Sequence, residues 1–293
     1  LCYLYFSPWR PTFNIDFSPI RSMFVFSSKL LLTNIFKHLN DHILTIILGK
    51  YYSDKDAGYF SQAHKWNYMG HSLISGMVNG VAQPVLVSTG DERERLQRVF
   101  RKMLRFTAFI SFPAMFGLSL TAPELITLAI TEKWLPSAQI MQILCIGGAF
   151  LPISNLFSQL LLSRGHSSIY MWCTISLSLL QLLTAFITYS YGIETMLSAF
   201  IMVNTGWIFV WLYFVHQEIG LICLSFLKDI CPYLLLSGIL VIFAHYVTIG
   251  IESIETRLIS KIIGVGGLYI LILWLMKSVI LQESIAFFLN KKR

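Results

Sequence analysis

Apolar runs of about 20 residues, the length a helix needs to cross a bilayer, recur along the chain with short polar pieces between them. Eight spans are predicted: Ser27–Gly49, Trp66–Ser88, Phe106–Ile130, Ala138–Leu162, Ile169–Tyr189, Met196–Val215, Cys231–Ile249 and Leu258–Ile280. The connectors are Tyr52–Gly58, Gly90–Arg105, Thr131–Ser137, Ser163–Ser168, Tyr191–Thr195, His216–Asp229 and Gly250–Arg257. None is long enough to be a separate soluble domain. The segment Ser7–Ser22 is too rich in Pro and Arg to span. Its Trp9, Phe13 and Phe17 mark it as an interfacial connector with aromatic anchors.

Proline interrupts the pattern inside several spans. Pro113 and Pro123 fall in the third, Gln83-Pro84 near the end of the second, and Pro152 in the fourth. Each removes a backbone donor and tends to kink a helix. Broken helices supply hinges and sites in transporters; they also occur as simple kinks, and the sequence leaves both open.

Composition agrees with a multi-spanning membrane protein. The chain of 293 residues is 55% hydrophobic and 13% charged, with mean hydropathy +0.65. A soluble domain is about one quarter charged, so a water-soluble enzyme and a disordered or fibrous chain are excluded. The net charge of +7 needs no nucleic-acid partner, because membrane proteins collect Lys and Arg on the cytoplasmic side. Alternating the eight spans places Arg10, Arg21, Arg93, Arg95, Arg98, Arg101, Lys102, Arg105, Arg164, Lys228, Lys277, Lys291, Lys292 and Arg293 on one side. Lys50, Lys55, Lys65, Lys133, Arg257 and Lys261 fall on the other. The richer side is read as cytoplasmic, which puts both ends of the chain there. Cys2, Cys145, Cys173, Cys223 and Cys231 form no C-x-x-C pair, so neither a disulfide framework nor a zinc site is expected.

The sharpest chemical signal lies in the first span, where Thr33 to His42 reads Thr-Asn-Ile-Phe-Lys-His-Leu-Asn-Asp-His. Ionisable groups at bilayer depth are costly and face a cavity or one another. Lys37 and Asp41 are four apart and share a helix face, and His38 and His42 repeat that spacing beside them. Asn34 stands one turn before His38, and Asn40 adjoins Asp41. This face either lines a hydrated cavity or locks helix packing through a Lys37–Asp41 pair; a third possibility puts the group near the membrane surface. No third ligand accompanies His38 and His42, so no metal is expected. Asn79 and Gln83 on the second span, and Asn155 and Gln159 on the fourth, are further amide pairs at a spacing of four. Singly such amides join helices; together they suggest a polar interior. Six bases alternate with acids over Asp91–Arg105 and, read as a helix, form a solvated connector with internal ion pairs. Nucleotide, hydrolase and phosphate-loop signatures are absent, so no catalytic residue and no cofactor are expected.

Several stretches, in order, resemble one family. They are Trp9-Arg10-Pro11-x-Phe13; Ile47-Leu48-Gly49-Lys50 followed by Gly58-Tyr59-Phe60-Ser61-Gln62-Ala63; Gln83-Pro84-Val85-Leu86; and Arg101-Lys102-x-Leu104-Arg105 with Phe112-Pro113-x-Met115-x-Gly117. Ala122-Pro123-Glu124-Leu125-Ile126, Glu132-Lys133-Trp134-Leu135-Pro136, Gln142-Ile143-Leu144-Cys145, Pro152-Ile153-x-Asn155 and Arg164-Gly165 complete the series. Over Trp9–Gly165 the sequence resembles the polysaccharide transport flippases of the O-antigen and colanic-acid exporter type, relatives of the multidrug antiporters and the lipid II flippase.

That resemblance implies an all-α, polytopic membrane bundle of two six-helix lobes around a central cavity, with two extra C-terminal helices. On this template residues 1–26 are the end of a preceding helix and the inter-lobe connector. Residues 27–218 form the C-terminal lobe, and 219–293 hold the two added helices and a basic tail. The chain begins with Leu1 and Leu1–Phe6 reads as a helix end, so an N-terminal lobe is expected to be missing. The implied activity is alternating-access flipping of an undecaprenyl-diphosphate-linked oligosaccharide across the bacterial inner membrane, driven by an ion gradient. The implied partners are that substrate, membrane lipids and the polysaccharide polymerase and chain-length proteins. Lys37 and Lys65 are the cationic candidates for the diphosphate, while Lys65-Trp66 also suits an interface anchor. Asn34, Lys37, His38, Asn40, Asp41, Gln62, Lys65, Asn79, Gln83, Asn155 and Gln159 are the candidate cavity residues. A drug or cation antiporter of the same fold is the nearest alternative. A membrane enzyme of O-antigen polymerisation or ligation would need a large periplasmic loop, and the connectors are short.

Overall fold

In the computed structural model, residues 18–90, 92–278 and 280–283 are described, except for the side chains of 18–23, 25, 26 and 41. The expected connector Ser7–Ser22 falls largely outside these residues, as do the helix end Leu1–Phe6, the basic tail and the Asp41 carboxylate.

Among the described residues the secondary structure is helical, with no strand. Ten helices follow in order: α1 Ser18–Tyr51, α2 Asp54–Ser88, α3 Arg93–Ala129, α4 Leu135–Gly148, α5 Leu151–Ser163, α6 Ser167–Thr188, α7 Ile193–Gly206, α8 Ile208–Ile219, α9 Cys223–Thr248 and α10 Ile254–Leu275. Because α4 with α5 and α7 with α8 each form one interrupted rod, the ten make eight rods, one for each predicted span. Six rods are long and apolar enough to cross a membrane: α3, α4–α5, α6, α7–α8, α9 and α10. The protein is therefore an all-α, multi-pass membrane bundle. Helices α1 and α2, of 34 and 35 residues, have the length to cross as well. Their polar residues lower the hydropathy, and the distribution of those residues is the subject of the next subsection.

Local chemistry sets the helix ends. Ser53 caps α2: its side chain accepts from the Asp56 backbone N–H at 3.1 Å, and Asp54 and Asp56 stand in the first turn, where the helix dipole favours acids. Helix α8 stops at Gly220, whose φ of 72° is open to a residue without Cβ. Pro84, Pro113 and Pro123 lie inside continuous helices, so of the two readings left open for the third rod, a break is not the one the fold has. The fourth rod does break, at Ala149-Phe150, just before Pro152. The break at Trp207 has no proline near it.

The core runs through α3, whose Phe100, Leu104, Ala108, Phe112 and Met115 are fully buried. Helices α2, α4, α9 and α10 all pack on it, and α1 lies against α6 and α2. The connectors gather at two ends. At one end Arg93 donates to the carbonyls of His216 and Gln217, Arg164 donates to that of Gly90, and His166 meets Glu218 at 2.6 Å. At the other, the Tyr52 hydroxyl donates to the Tyr189 carbonyl and that of Tyr59 to the Lys133 carbonyl. The alternation inferred from charge is thus the one the fold has.

The basic run after Gly90 departs from its expectation. It is helical, as expected, but it is the first part of α3 and continuous with the third rod. Its bases reach other helices: Arg101 grips Asp229 of α9 with Nε–Oδ2 at 2.7 Å and Nη2–Oδ1 at 2.9 Å, and Lys102 meets Glu283 at 2.7 Å. Lys261, counted above as a connector charge, is instead buried in α10 and paired with Glu124 of α3 at 2.5 Å.

Candidate functional site: a polar stripe on α1, α2 and α5

A helix in a bilayer normally shows lipid an apolar surface, so an exposed polar stripe must face something else. Helix α1 has three faces. Thr33, Leu44, Ile47 and Leu48 are buried, Leu31, Ile35, Leu39 and Ile46 are exposed and apolar, and Asn34, Lys37, His38 and His42 are exposed and polar. Asn34, Lys37, His38 and Asp41 follow the three-to-four spacing that keeps side chains on one face. Whether Lys37 and Asp41 pair lies outside the described residues.

Helix α2 repeats the division. Phe60, Ala63, Ile74, Val78 and Leu86 are buried, while Leu73, Met77, Val81 and Val87 are exposed and apolar. Lys65, Gly76, Asn79 and Gln83 are exposed, with half-buried Ser72 between them, and recur on one stripe at helical spacing. Gln62 is half-buried and falls off that stripe toward the apolar side. Lys65 sits about 18 Å along α2 from Ser53 at 1.5 Å per residue, so it belongs to the stripe and is not a connector charge.

One contact ties α2 to α5. The Gln159 side-chain amide on α5 donates to Asn79 Oδ1 at 3.2 Å, and Asn155 is half-buried one turn earlier on α5. Asn40 turns the other way: its amide donates to Gln181 Oε1 of α6 at 2.6 Å, which makes it a packing residue here. Of the expected set, Asn79 and Gln159 meet, with Asn155 one turn away; Asn34, Lys37 and His38 share an exposed face of α1, Lys65, Asn79 and Gln83 share one of α2, and Gln62 and Asn40 stand beside those faces.

Sequence reasoning missed a second feature of α2. Asn67 and Ser75 are buried at 5% and 7% exposure, and with His71 they follow a spacing of four. Asn67 Oδ1, His71 Nδ1 and Ser75 Oγ are all buried without a protein hydrogen-bond partner. The spacing was legible in the sequence, but the three are separated by other residues and their burial is not. The Glu124–Lys261 pair was missed too, being formed across 137 positions. A cavity of about 360 Å³ lined by Pro123, Pro136, Gln139 and Gln142 opens between α3 and α4 and holds none of the expected residues. Among the described residues no cluster of His, Cys, Asp and Glu could hold a metal ion.

Comparison with known proteins gives this geometry a context. Residues 1–139 match the family described as polysaccharide biosynthesis protein. An uncharacterized membrane protein in the cps region of Klebsiella pneumoniae is 31% identical over 145 residues, which cover 50% of this chain and 30% of that protein. The teichuronic acid biosynthesis protein TuaB of Bacillus subtilis is 25% identical over 189 residues, 64% of this chain and 39% of that one. The chain thus spans about a third of the length of the curated relatives it matches. Among solved structures, the lipid II flippase MurJ in an inward closed conformation superposes with a TM-score of 0.70 at 18% identity. That match covers 94% of this chain and 57% of MurJ, so the two share a fold.

Proposed function

We propose that this chain, whose residues 1–139 match the polysaccharide biosynthesis protein family, forms one wall of a flippase for lipid-linked oligosaccharides. It is a transporter, not an enzyme. On this reading residues 27–218 are one lobe of a two-lobe transporter and 219–293 hold two added helices. The whole protein moves undecaprenyl-diphosphate-linked sugars from the cytoplasmic to the periplasmic leaflet of the bacterial inner membrane by alternating access, driven by an ion gradient. The names of the matched proteins and the MurJ-like fold support it.

One observation carries the reading: the exposed polar stripe of α1 and α2, continued by α5, on a bundle whose other outer faces are apolar. A diphosphate-sugar headgroup cannot cross hydrocarbon unaided, because burying its charge without partners costs many kcal/mol. A wall of Lys, His and amides lowers that barrier while the apolar faces of the same helices stay against lipid.

The test is a flipping assay in proteoliposomes. Fluorescent polyprenyl-diphosphate oligosaccharide is reconstituted with the chain and an N-terminal lobe, and access to a membrane-impermeant quencher is followed. Leaflet exchange above that of protein-free vesicles is expected. Efflux of a cationic dye with no exchange of the lipid-linked sugar would instead identify an antiporter of the same fold.

A further inference from the structure

Helix α2 carries one unbroken row of polar residues at a spacing of four: Asn67, His71, Ser75 and Asn79. Both ends of the row meet the interrupted rod α4–α5. Asn67 Oδ1 lies so close to Gly148 that a Cβ there would stand 2.3 Å from it, and Asn79 Oδ1 accepts from Gln159 at 3.2 Å. His71 and Ser75, between them on the same face, lie along the same seam of α2 against α4–α5. A row at this spacing winds about 40° round the helix at each step. That drift brings it from Asn67, 5% exposed, to the exposed Asn79. The seam is closed at the Gly148 end and opens on the polar stripe at the other.

The polar atoms of this seam lack protein partners. Asn67 Oδ1, His71 Nδ1, Ser75 Oγ and Gln159 Oε1 are all buried and make no hydrogen bond. One such group left unpaired costs about 1–3 kcal/mol, so four on one seam point to a shared partner. The rod adds a further acceptor. Pro152 has no N–H to give the Gly148 carbonyl, which would be its partner in a continuous helix. Residues four apart are separated by about 6 Å along the helix, and one water with two hydrogen bonds of about 2.9 Å spans that distance. The row carries no carboxylate, so it has no charge to draw in a metal ion. Water both donates and accepts, as a mixed row of amide, imidazole and hydroxyl requires.

We propose that the seam is a water-binding site. A file of ordered waters enters at Asn79, bridges Ser75, His71 and Asn67 in turn, and ends on the freed carbonyl of Gly148. The site is independent of the flippase reading, while its use rests on that reading. In lipid a broken helix persists only where its backbone groups are satisfied, and water satisfies them without fixing the angle between α4 and α5. Hydrogen bonds to water re-form as the rod bends, so α5 shifts along α2 without direct side-chain bonds having to break. The file makes the Ala149-Phe150 break a hinge.

Met115 reports on the closed end of the file. Its side chain is fully buried, and its methyl shares with Asn67 the space over Gly148, 2.7 Å from where a Cβ there would stand. Hydroxyl radicals generated from water by an X-ray pulse oxidise a buried Met beside bound water and spare one in dry packing. The full chain in nanodiscs is given such a pulse, and oxidation of Met115 is compared with that of Met196, equally buried on α7. Met115 is expected to oxidise several-fold faster. Ser75→Val, which puts a methyl in place of the hydroxyl midway along the file, should bring Met115 down to the rate of Met196. Asn67→Leu, which removes the inner end, should do the same. Ser75→Val leaves Asn67 and Gly148 in place, so it reads the file even where Asn67→Leu disturbs α2–α4 packing. Equal protection of Met115 and Met196 in wild type would mean a dry seam and overturn the site; Met115 oxidation unchanged in both variants would overturn the route. In the flipping assay, Ser75→Val should slow leaflet exchange several-fold. Exchange at the wild-type rate with the file lost overturns the hinge and leaves the water site. No exchange by wild type overturns the flippase reading and the hinge with it, while the Met115 result still decides the site.

Discussion

At the scale of single residues, the groups the stripe leaves out matter as much as those it contains. Lys261 Nζ meets Glu124 Oε1 at 2.5 Å and donates to the Leu120 carbonyl at 3.1 Å, and both side chains are 5% exposed. Glu124 Oε2 is buried with no hydrogen-bond partner. Removing one member of such a pair leaves an uncompensated charge, which costs about 3–5 kcal/mol, whereas replacing both by neutral groups of similar volume is often close to neutral. Lys261→Met is therefore expected to lower the unfolding midpoint in detergent well below that of wild type, and Glu124→Gln/Lys261→Met to recover most of the loss. A double variant as unstable as the single one would show that the pair itself holds the bundle together. Neither residue stood out in the sequence. Lys261 reads as a charge at the mouth of a span, and its partner is 137 positions away, beyond the reach of any spacing rule. The same holds for Asn40 and Gln181, 141 positions apart. Lys37, His38 and Asn79 were legible because a polar residue inside an apolar run is conspicuous without its partner.

Among the elements, eight rods were readable from hydropathy because the bilayer length is a property of each segment alone. What hydropathy could not show is where helices start and where they break. Helix α2 begins at Asp54, three turns before the apolar run at Trp66, because the Ser53 cap and the acids of its first turn favour helix there without help from lipid. Proline was a poor guide to breaks. Pro113 sits in the unbroken α3, where its neighbour Ser111 donates to the Ala149 carbonyl across the interface at 2.7 Å. The break at α4–α5 comes just before Pro152, where α4 also approaches α2 closely. A Cβ on Gly148 would lie 2.3 Å from Asn67 Oδ1 and 2.7 Å from the Met115 methyl. Gly148→Ala must push α4 away from α2, and overpacking of this kind costs about 1–3 kcal/mol. Asn67→Ala removes the nearer obstacle and leaves the flexible Met115 tip to adjust. Thermal unfolding of the two single variants and the double variant should show positive coupling, with Gly148→Ala less damaging in the Asn67→Ala background. Additive losses would mean that Asn67 and Gly148 do not meet.

For the whole molecule, the question is which end faces the cytoplasm. The fold gathers the connectors near Gly90, Arg164 and Gly220 at one end and those near Tyr52, Lys133 and Tyr189 at the other. The sequence count set fourteen bases against six. Lys65 and Lys261 leave the poorer side once the structure places one on the polar stripe and the other in a buried ion pair. Some bases of the richer side are also engaged, Arg101 with Asp229 and Lys102 with Glu283, yet Arg95 and Arg98 remain exposed beside them. The asymmetry therefore sharpens, and because positive charge in short connectors sets orientation, the Gly90 end is expected to face the cytoplasm. Single cysteines at Ser88 and Glu132, both exposed, in a chain whose five native cysteines are replaced, give a direct measurement. An impermeant maleimide added to intact spheroplasts should label Glu132→Cys, and Ser88→Cys only after lysis. The opposite pattern would invert the bundle and place the Gly90 end in the periplasm.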